Sequence, residues 1–190
     1  MQTISETTKS YISIDVETSG PNPGLYSLLS IGASTLYEPR QTFYVELKPD
    51  KDSFTEEALA ISGLSMEKLT ETGLPPEEGM QKLADWLKEV VPAEEKPLFV
   101  AFNAPFDWMF VNDYFLRYLG YNPFGHAALD IKSYFMGQEN VKWFQTSMRY
   151  ISDQLSGNGP LSHNALQDAI DQAKLFESML EKARQNPESN

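Results

Sequence analysis

Residues 11–20, YISIDVETSG, constrain the fold more than any other stretch of the chain. Side chains on a strand alternate faces, so Ile12, Ile14 and Val16 share one side while Asp15 and Glu17 share the other, about 6–7 Å apart at Cα. A buried carboxylate costs several kcal/mol to desolvate unless it finds a partner. Two like charges this close also raise one another's pKa unless a cation sits between them. Hard cations such as Mg²⁺ prefer carboxylate oxygen and tolerate an open, partly hydrated site. This strand therefore ends either at a cation or in water beside the loop TSGPNPG, and on its own it leaves both readings open.

Two metal-linked or acid-based alternatives fail on the same residues. An EF-hand loop beginning at Asp15 would accommodate Glu17 and Gly20, but its closing glutamate position falls on Tyr26, and a strand precedes it instead of a helix. An aspartate-nucleophile phosphatase wants a second aspartate where Glu17 stands.

Beyond this strand, Leu25 to Leu36 and TFYVEL at 42–47 read as two more strands with short links, which predicts an antiparallel meander. The period then changes. Met80, Leu83, Leu87 and Val90 fall at helical spacing, PLFVAF at 97–102 reads as a strand, and a helix is expected from about Pro105 to Leu119, capped by Asn103 and stopped by Gly120. A short strand AALDI follows at 127–131. Leu166, Ala169, Ile170, Ala173, Phe176 and Leu180 form the apolar stripe of a closing helix. The order predicts an α/β fold with a mixed sheet, a three-strand meander followed by alternating helix and strand, flanked by helices. With 190 residues, 41% of them hydrophobic, the expectation is a single domain over 1–190, its core about 11–180 and its termini short and flexible.

Charge limits the partners. Fifteen basic residues against 27 acidic give a formal net charge of −12, which argues against a basic groove gripping many phosphates of long nucleic acid. A phosphate substrate stays admissible where bound cations supply the local positive charge. The absence of cysteine excludes disulfides and Cys-ligated zinc. No secretory segment and no run of about 18 apolar residues is present, so no membrane association and a cytoplasmic location are expected.

Two further acidic spots follow. In VAFNAPFDWMF, Asp107 falls in the first turn of a helix near the C-terminal edge of the sheet, where ligands bind in open α/β sheets, although the helix dipole alone also favours an acid there. In LSHNALQDAIDQAKLF, Asn164 and Gln167 have capping-pair spacing, leaving His163 outside the helix and Asp168 inside it. On one continuous helix His163 and Asp168 would diverge by about 140°. They converge only if His163 projects from the irregular segment before it; otherwise Asn164, Asp168 and Asp171 form a solvated face.

Taken in order, DVET, FNAPFD and HNALQDA resemble the three motifs of the DEDD exonucleases, and the histidine five residues before the last aspartate resembles their DEDDh branch. The resemblance spans about residues 11–180. It implies a ribonuclease-H-like fold and 3′-5′ exonuclease activity on single strands or 3′ ends, RNA or DNA, with two divalent ions, Mg²⁺ or Mn²⁺. By motif it makes Asp15, Glu17, Asp107 and Asp168 the metal ligands and His163 the general base. It also places Val16 and Thr18 near the terminal sugar, Phe106 near its base, and Leu64 and Met66 as a base wedge or core. Phe102 stands where that branch often has histidine.

Two other classes share the pattern: a degenerate nucleic-acid-binding module, which should have lost one of the five residues, and a metal-dependent hydrolase of another phosphate ester. In KWFQTSMRY, Lys142 and Arg149 interleave with Trp143, Phe144 and Tyr150, as in surfaces that stack single strands, with core packing the alternative. Monomer, homodimer and polymerase-bound states are all compatible with the sequence.

Overall fold

A computed structural model describes residues 9–155 and 164–185. Its five strands are β1 (Lys9–Thr18), β2 (Leu28–Thr35), β3 (Thr42–Glu46), β4 (Lys96–Ala101) and β5 (Ala128–Asp130). They form one mixed sheet in the order β3-β2-β1-β4-β5. The first three pair antiparallel, and β4 and β5 join in parallel. Around the sheet lie α1 (Glu56–Ser62), α2 (Met66–Thr72), α3 (Pro76–Val90), α4 (Ala104–Leu119), α5 (Ile131–Glu139), α6 (Met148–Leu155) and α7 (Ala165–Gln185). None of the described helices is long and apolar enough to cross a membrane.

Alternation along β1 divides the core in two. Ile12, Ile14 and Val16 pack with Ile31, Phe99, Met80, Leu83 and Phe110 beneath α3 and α4. The other face carries Val100, Phe135, Ile151, Ala173, Phe176 and Met179 beneath α5, α6 and α7. Tyr11 meets Phe176 edge-on there, ring centres 5.6 Å apart. Each fully buried large apolar side chain contributes about 1.5–3 kcal/mol, so this core can hold a few unfavourably placed charges in position.

Two features position those charges. Pairing of β1 with β4 ends at Ser13↔Val100, so among the described residues the end of β1 runs on without a strand partner on that side. On β2, Gly32 lies opposite Asp15, and a β carbon at Gly32 would sit 2.1 Å from the carbonyl oxygen of Ala165. Only glycine lets the first turn of α7 lie directly on the sheet beside Asp15.

Several sequence expectations need correction. β2 begins at Leu28, not Leu25, because Asn22 ties the preceding turn: it accepts from the amide of Leu25 at its side chain (3.1 Å) and from that of Tyr26 at its backbone (3.0 Å). Leu25 is accordingly exposed. Asn103 precedes α4, but in the left-handed region (φ 67°) and without a side-chain cap bond. Asp130 takes over that task, its Oδ2 accepting from the amide of Ala104 at 2.8 Å while its Oδ1 caps α5 through Ser133. Gly120 ends α4 as expected.

The buried face of α7 is rotated from the expected stripe. Ala165, Asp168, Ala169, Gln172, Ala173 and Phe176 are buried, while Leu166, Ile170 and Leu180 are only partly so. Helices α1, α2, α5 and α6 were not expected. The first two left little periodic signal, since α1 buries no residue and α2 only Leu69; capping by Thr55 and Ser65 defines them.

Candidate active site

The motif acids gather at the C-terminal end of β1. One carboxylate oxygen from each of Asp15, Glu17 and Asp168 lies within 4.8 Å of the others. The first two share a face by strand alternation, and Asp168 comes down on them because Gly32 admits the α7 backbone. Helix α7 starts as its sequence suggests: the side chain of Asn164 accepts from the amide of Gln167 at 3.1 Å. Asp168 is thereby buried, while Asn164 is exposed and Asp171 half-buried, so the three do not form one solvated face.

Asp107 stands beside this triad and not within it. Its Oδ1 accepts from the amide of Val16 at 3.1 Å, filling the gap that β4 leaves along β1. It is nonetheless close enough for its charge to raise the pKa of Asp15. His163 lies outside the described residues.

Gln172, which the sequence reading did not single out, is fully buried one helical turn beyond Asp168. Its Nε2 donates to Asp15 Oδ1 at 2.6 Å, and its Oε1 accepts from the amide of Phe102 at 2.9 Å. Both ends of the amide are used, which fixes the orientation of Asp15 and ties the end of β4 to α7. The one signal for it in the sequence is its i+4 spacing from Asp168, which places the two on one helix face.

The acids are held against their electrostatic preference. Burial, then the charges of Asp107, Glu17 and Asp168, push the Asp15 carboxyl well above its ordinary range, opposed by the hydrogen bond from Gln172. Burial and the Asp168 charge raise Glu17 to about 7. Burial raises Asp107 to about 8 despite the hydrogen bond from Val16. Among the described residues, none of Asp15, Glu17 and Asp107 forms an ion pair with Lys or Arg. Clustered carboxylate oxygens of this kind are the donor set that hard divalent cations prefer.

Beside the triad, a cavity of about 340 Å³ is lined by Val16, Glu17, Thr18, Thr55, Ile61 and Phe106 among others. The three expected substrate-contact residues thus share one wall system with Glu17. Thr18 Oγ1 is engaged with the carbonyl of Gly20 at 2.9 Å. The apolar contribution from the helical segment is Ala58 and Ile61 of α1, and neither Leu64 nor Met66 lines this cavity.

The family model described as RNase_T, Exonuclease, matches residues 12–176. The chain is 47% identical over 166 residues to the 3′-5′ DNA exonuclease Cap18 of Escherichia coli, covering 87% of this chain and 89% of that protein. In fold it is similar to the nuclease domain of 3′hExo, a DEDDh family member solved with bound rAMP, with a TM-score of 0.77, 16% identity and coverage of 93% and 94% of the two chains. It also resembles E. coli exonuclease I in complex with a dT13 oligonucleotide, with a TM-score of 0.72 and 16% identity over 95% of this chain but 42% of that one.

Proposed function

This chain belongs to the RNase_T exonuclease family and is a 3′-5′ exonuclease, and on that premise we propose that it shortens single-stranded DNA ends with the help of two divalent cations, Mg²⁺ or Mn²⁺. The observation that carries the metal reading is the convergence of Asp15, Glu17 and Asp168 oxygens within 4.8 Å. DNA is favoured over RNA by the likeness to the E. coli DNA exonuclease.

Asp15, Glu17 and Asp168 hold the cations, and Asp107 adds negative charge while it anchors the β1 backbone. When bound, the ions lower the pKa of an attacking water and stabilise charge on the leaving 3′ oxygen. Gln172 keeps the Asp15 carboxylate aimed at the cluster. His163 acts as general base; an imidazole titrates near neutral pH, so it takes a proton from water at small cost and passes it to solvent. The cavity between Phe106 and Ile61 receives the terminal nucleotide, with Val16 and Thr18 beside its sugar.

Incubation of a 5′-labelled single strand with Mn²⁺ should give stepwise shortening that Asp15→Asn abolishes. Undiminished shortening by that variant would remove the basis for the assignment. His163→Ala should slow turnover and flatten the acid limb of the pH profile, yet bind Mn²⁺ normally by calorimetry. Loss of metal binding in that variant would contradict the role given to His163. Matched DNA, RNA and dinucleotide substrates decide the sugar preference.

A further inference from the structure

Trp143 and Phe144 are 54% and 76% exposed, whereas core packing is the usual fate of such residues. Their backbone is nevertheless firmly tied in a 3-10 turn, Trp143–Gln145. The carbonyl oxygen of Trp143 accepts from both the amide (3.0 Å) and the hydroxyl (2.8 Å) of Thr146, a buried residue. Gln145 accepts from the amide of Lys142 at 3.1 Å and donates to the Tyr150 hydroxyl at 3.0 Å. Two large rings are therefore presented to solvent from a fixed support.

Cations accompany them. Lys132 Nζ lies 4.3 Å from the centre of the Trp143 ring and 5.8 Å from that of Phe102. Neither Lys132 nor Lys142 forms an ion pair among the described residues. In a chain of net charge −12 this leaves positive charge available where the aromatic rings are exposed.

The segment beneath Lys132 is also tied to the acidic cluster through buried hydrogen bonds. Phe102 donates its amide to Gln172, which in turn donates to Asp15. Glu17, of the same cluster, lines the cavity assigned to the terminal nucleotide.

We infer that Trp143 and Phe144, with Lys132 and Phe102 beside them, form a stacking platform for the single strand that leads into the site. Bases one or more nucleotides upstream of the cleaved bond rest on the rings, and Lys132 meets a phosphate. This rests on the exonuclease reading. It gives an acidic protein a local grip on single strands without a basic groove, since stacking tolerates any base.

The test compares 5′-fluorescein-labelled dT2 and dT12. For the Trp143→Ala/Phe144→Ala protein, the preference in kcat/KM for dT12 over dT2 should fall about tenfold or more, one lost stack being worth that much. The Kd for dT12, measured by anisotropy with Ca²⁺, should rise by a similar factor. Lys132→Ala should lower the slope of log Kd against log salt by about 0.7, the share of one phosphate contact on a single strand. An unchanged preference and an unchanged Kd would overturn the platform. So would equal losses on both substrates, which mark a distorted active site, or conversion of a sedimenting dimer to monomer with Kd intact, which marks a self-association surface. If the wild-type protein cleaves neither substrate, the exonuclease reading fails, and the Kd comparison alone decides whether the rings bind single strands.

Discussion

Asp15 and Asp50 are both enclosed carboxylates, yet their surroundings push them in opposite directions. At Asp50 burial raises the pKa, but donors from Tyr114, Arg117, Lys51 and Tyr118 outweigh it and hold the group well below the usual range. Tyr114 donates to Asp50 at 2.5 Å and itself accepts from the buried amide of Leu28 at 2.8 Å. Arg117 pairs with the same carboxylate. That network pins α4 to the loop after β3 and to the start of β2. At Asp15 the side-chain donor among the described residues is Gln172, and further acids surround it. One cluster is satisfied by its own protein and stabilises the fold; the other gathers like charges that raise one another's pKa.

The comparison can be broken most directly at Asp15. Asp15→Asn should lower kcat by a factor on the order of 10²–10³ or more, the size of effect seen when one electrostatic element of an active site is removed. The metal-free variant should melt higher than wild type at pH 8, because a buried repulsion is gone; lower melting would show the cluster to be a stabilising element. Asp50→Ala should do the reverse. It leaves Arg117 and the Tyr114 hydroxyl without their acceptor and should destabilise by about 2–4 kcal/mol in urea unfolding, with kcat near wild type at temperatures where the protein stays folded.

A finer test lies at Gln172. Gln172→Leu conserves bulk but strips the hydrogen bonds to Asp15 and Phe102, and should weaken Mn²⁺ binding by about 10–100-fold in calorimetry, as for other groups that orient a ligand. Unchanged affinity would mean that packing alone aims Asp15.

The smallest expected effect is on pH dependence. Glu17 titrates near 7 in the folded chain against an ordinary 4.5, and Asp107 near 8 against 3.8. Between those values the folded state holds protons that the unfolded state has released, so this stability is full below about pH 4 and is lost as pH rises through 7 to 8. The depressed Asp50 works oppositely, contributing above its unfolded value of 3.8 and failing only in strong acid. In EDTA the melting temperature should therefore fall between about pH 5 and 8, and saturating Mn²⁺ should flatten that decline. A metal-free profile that rises over this range would contradict the raised values.

Much of the candidate site could be read from local pattern. Period-2 alternation put Asp15 and Glu17 on one face, and the Asn164 cap put Asp168 in the first turn of its helix. Gln172 could not be read, because a glutamine four residues after an aspartate looks like any solvated helix face until another surface covers it. The same holds for the cap of α4, which came from Asp130, 26 residues further along the chain. Trp143 and Phe144 show the converse, apolar residues that composition assigns to a core and that tertiary packing left outside.

By itself, the sequence determined which acids exist, that Asp15 and Glu17 share one face of β1, and the order of the five strands with α3, α4 and α7 among them, since alternation, helical period and capping act over a few neighbouring residues. Tertiary structure alone decided how near those acids come to one another and how far their protons are displaced. That depended on the bare backbone at Gly32 admitting α7 and on β4 ending short of the end of β1. Desolvation and Coulomb repulsion follow distances between segments that lie 91 to 157 residues apart in the chain, which no local pattern encodes.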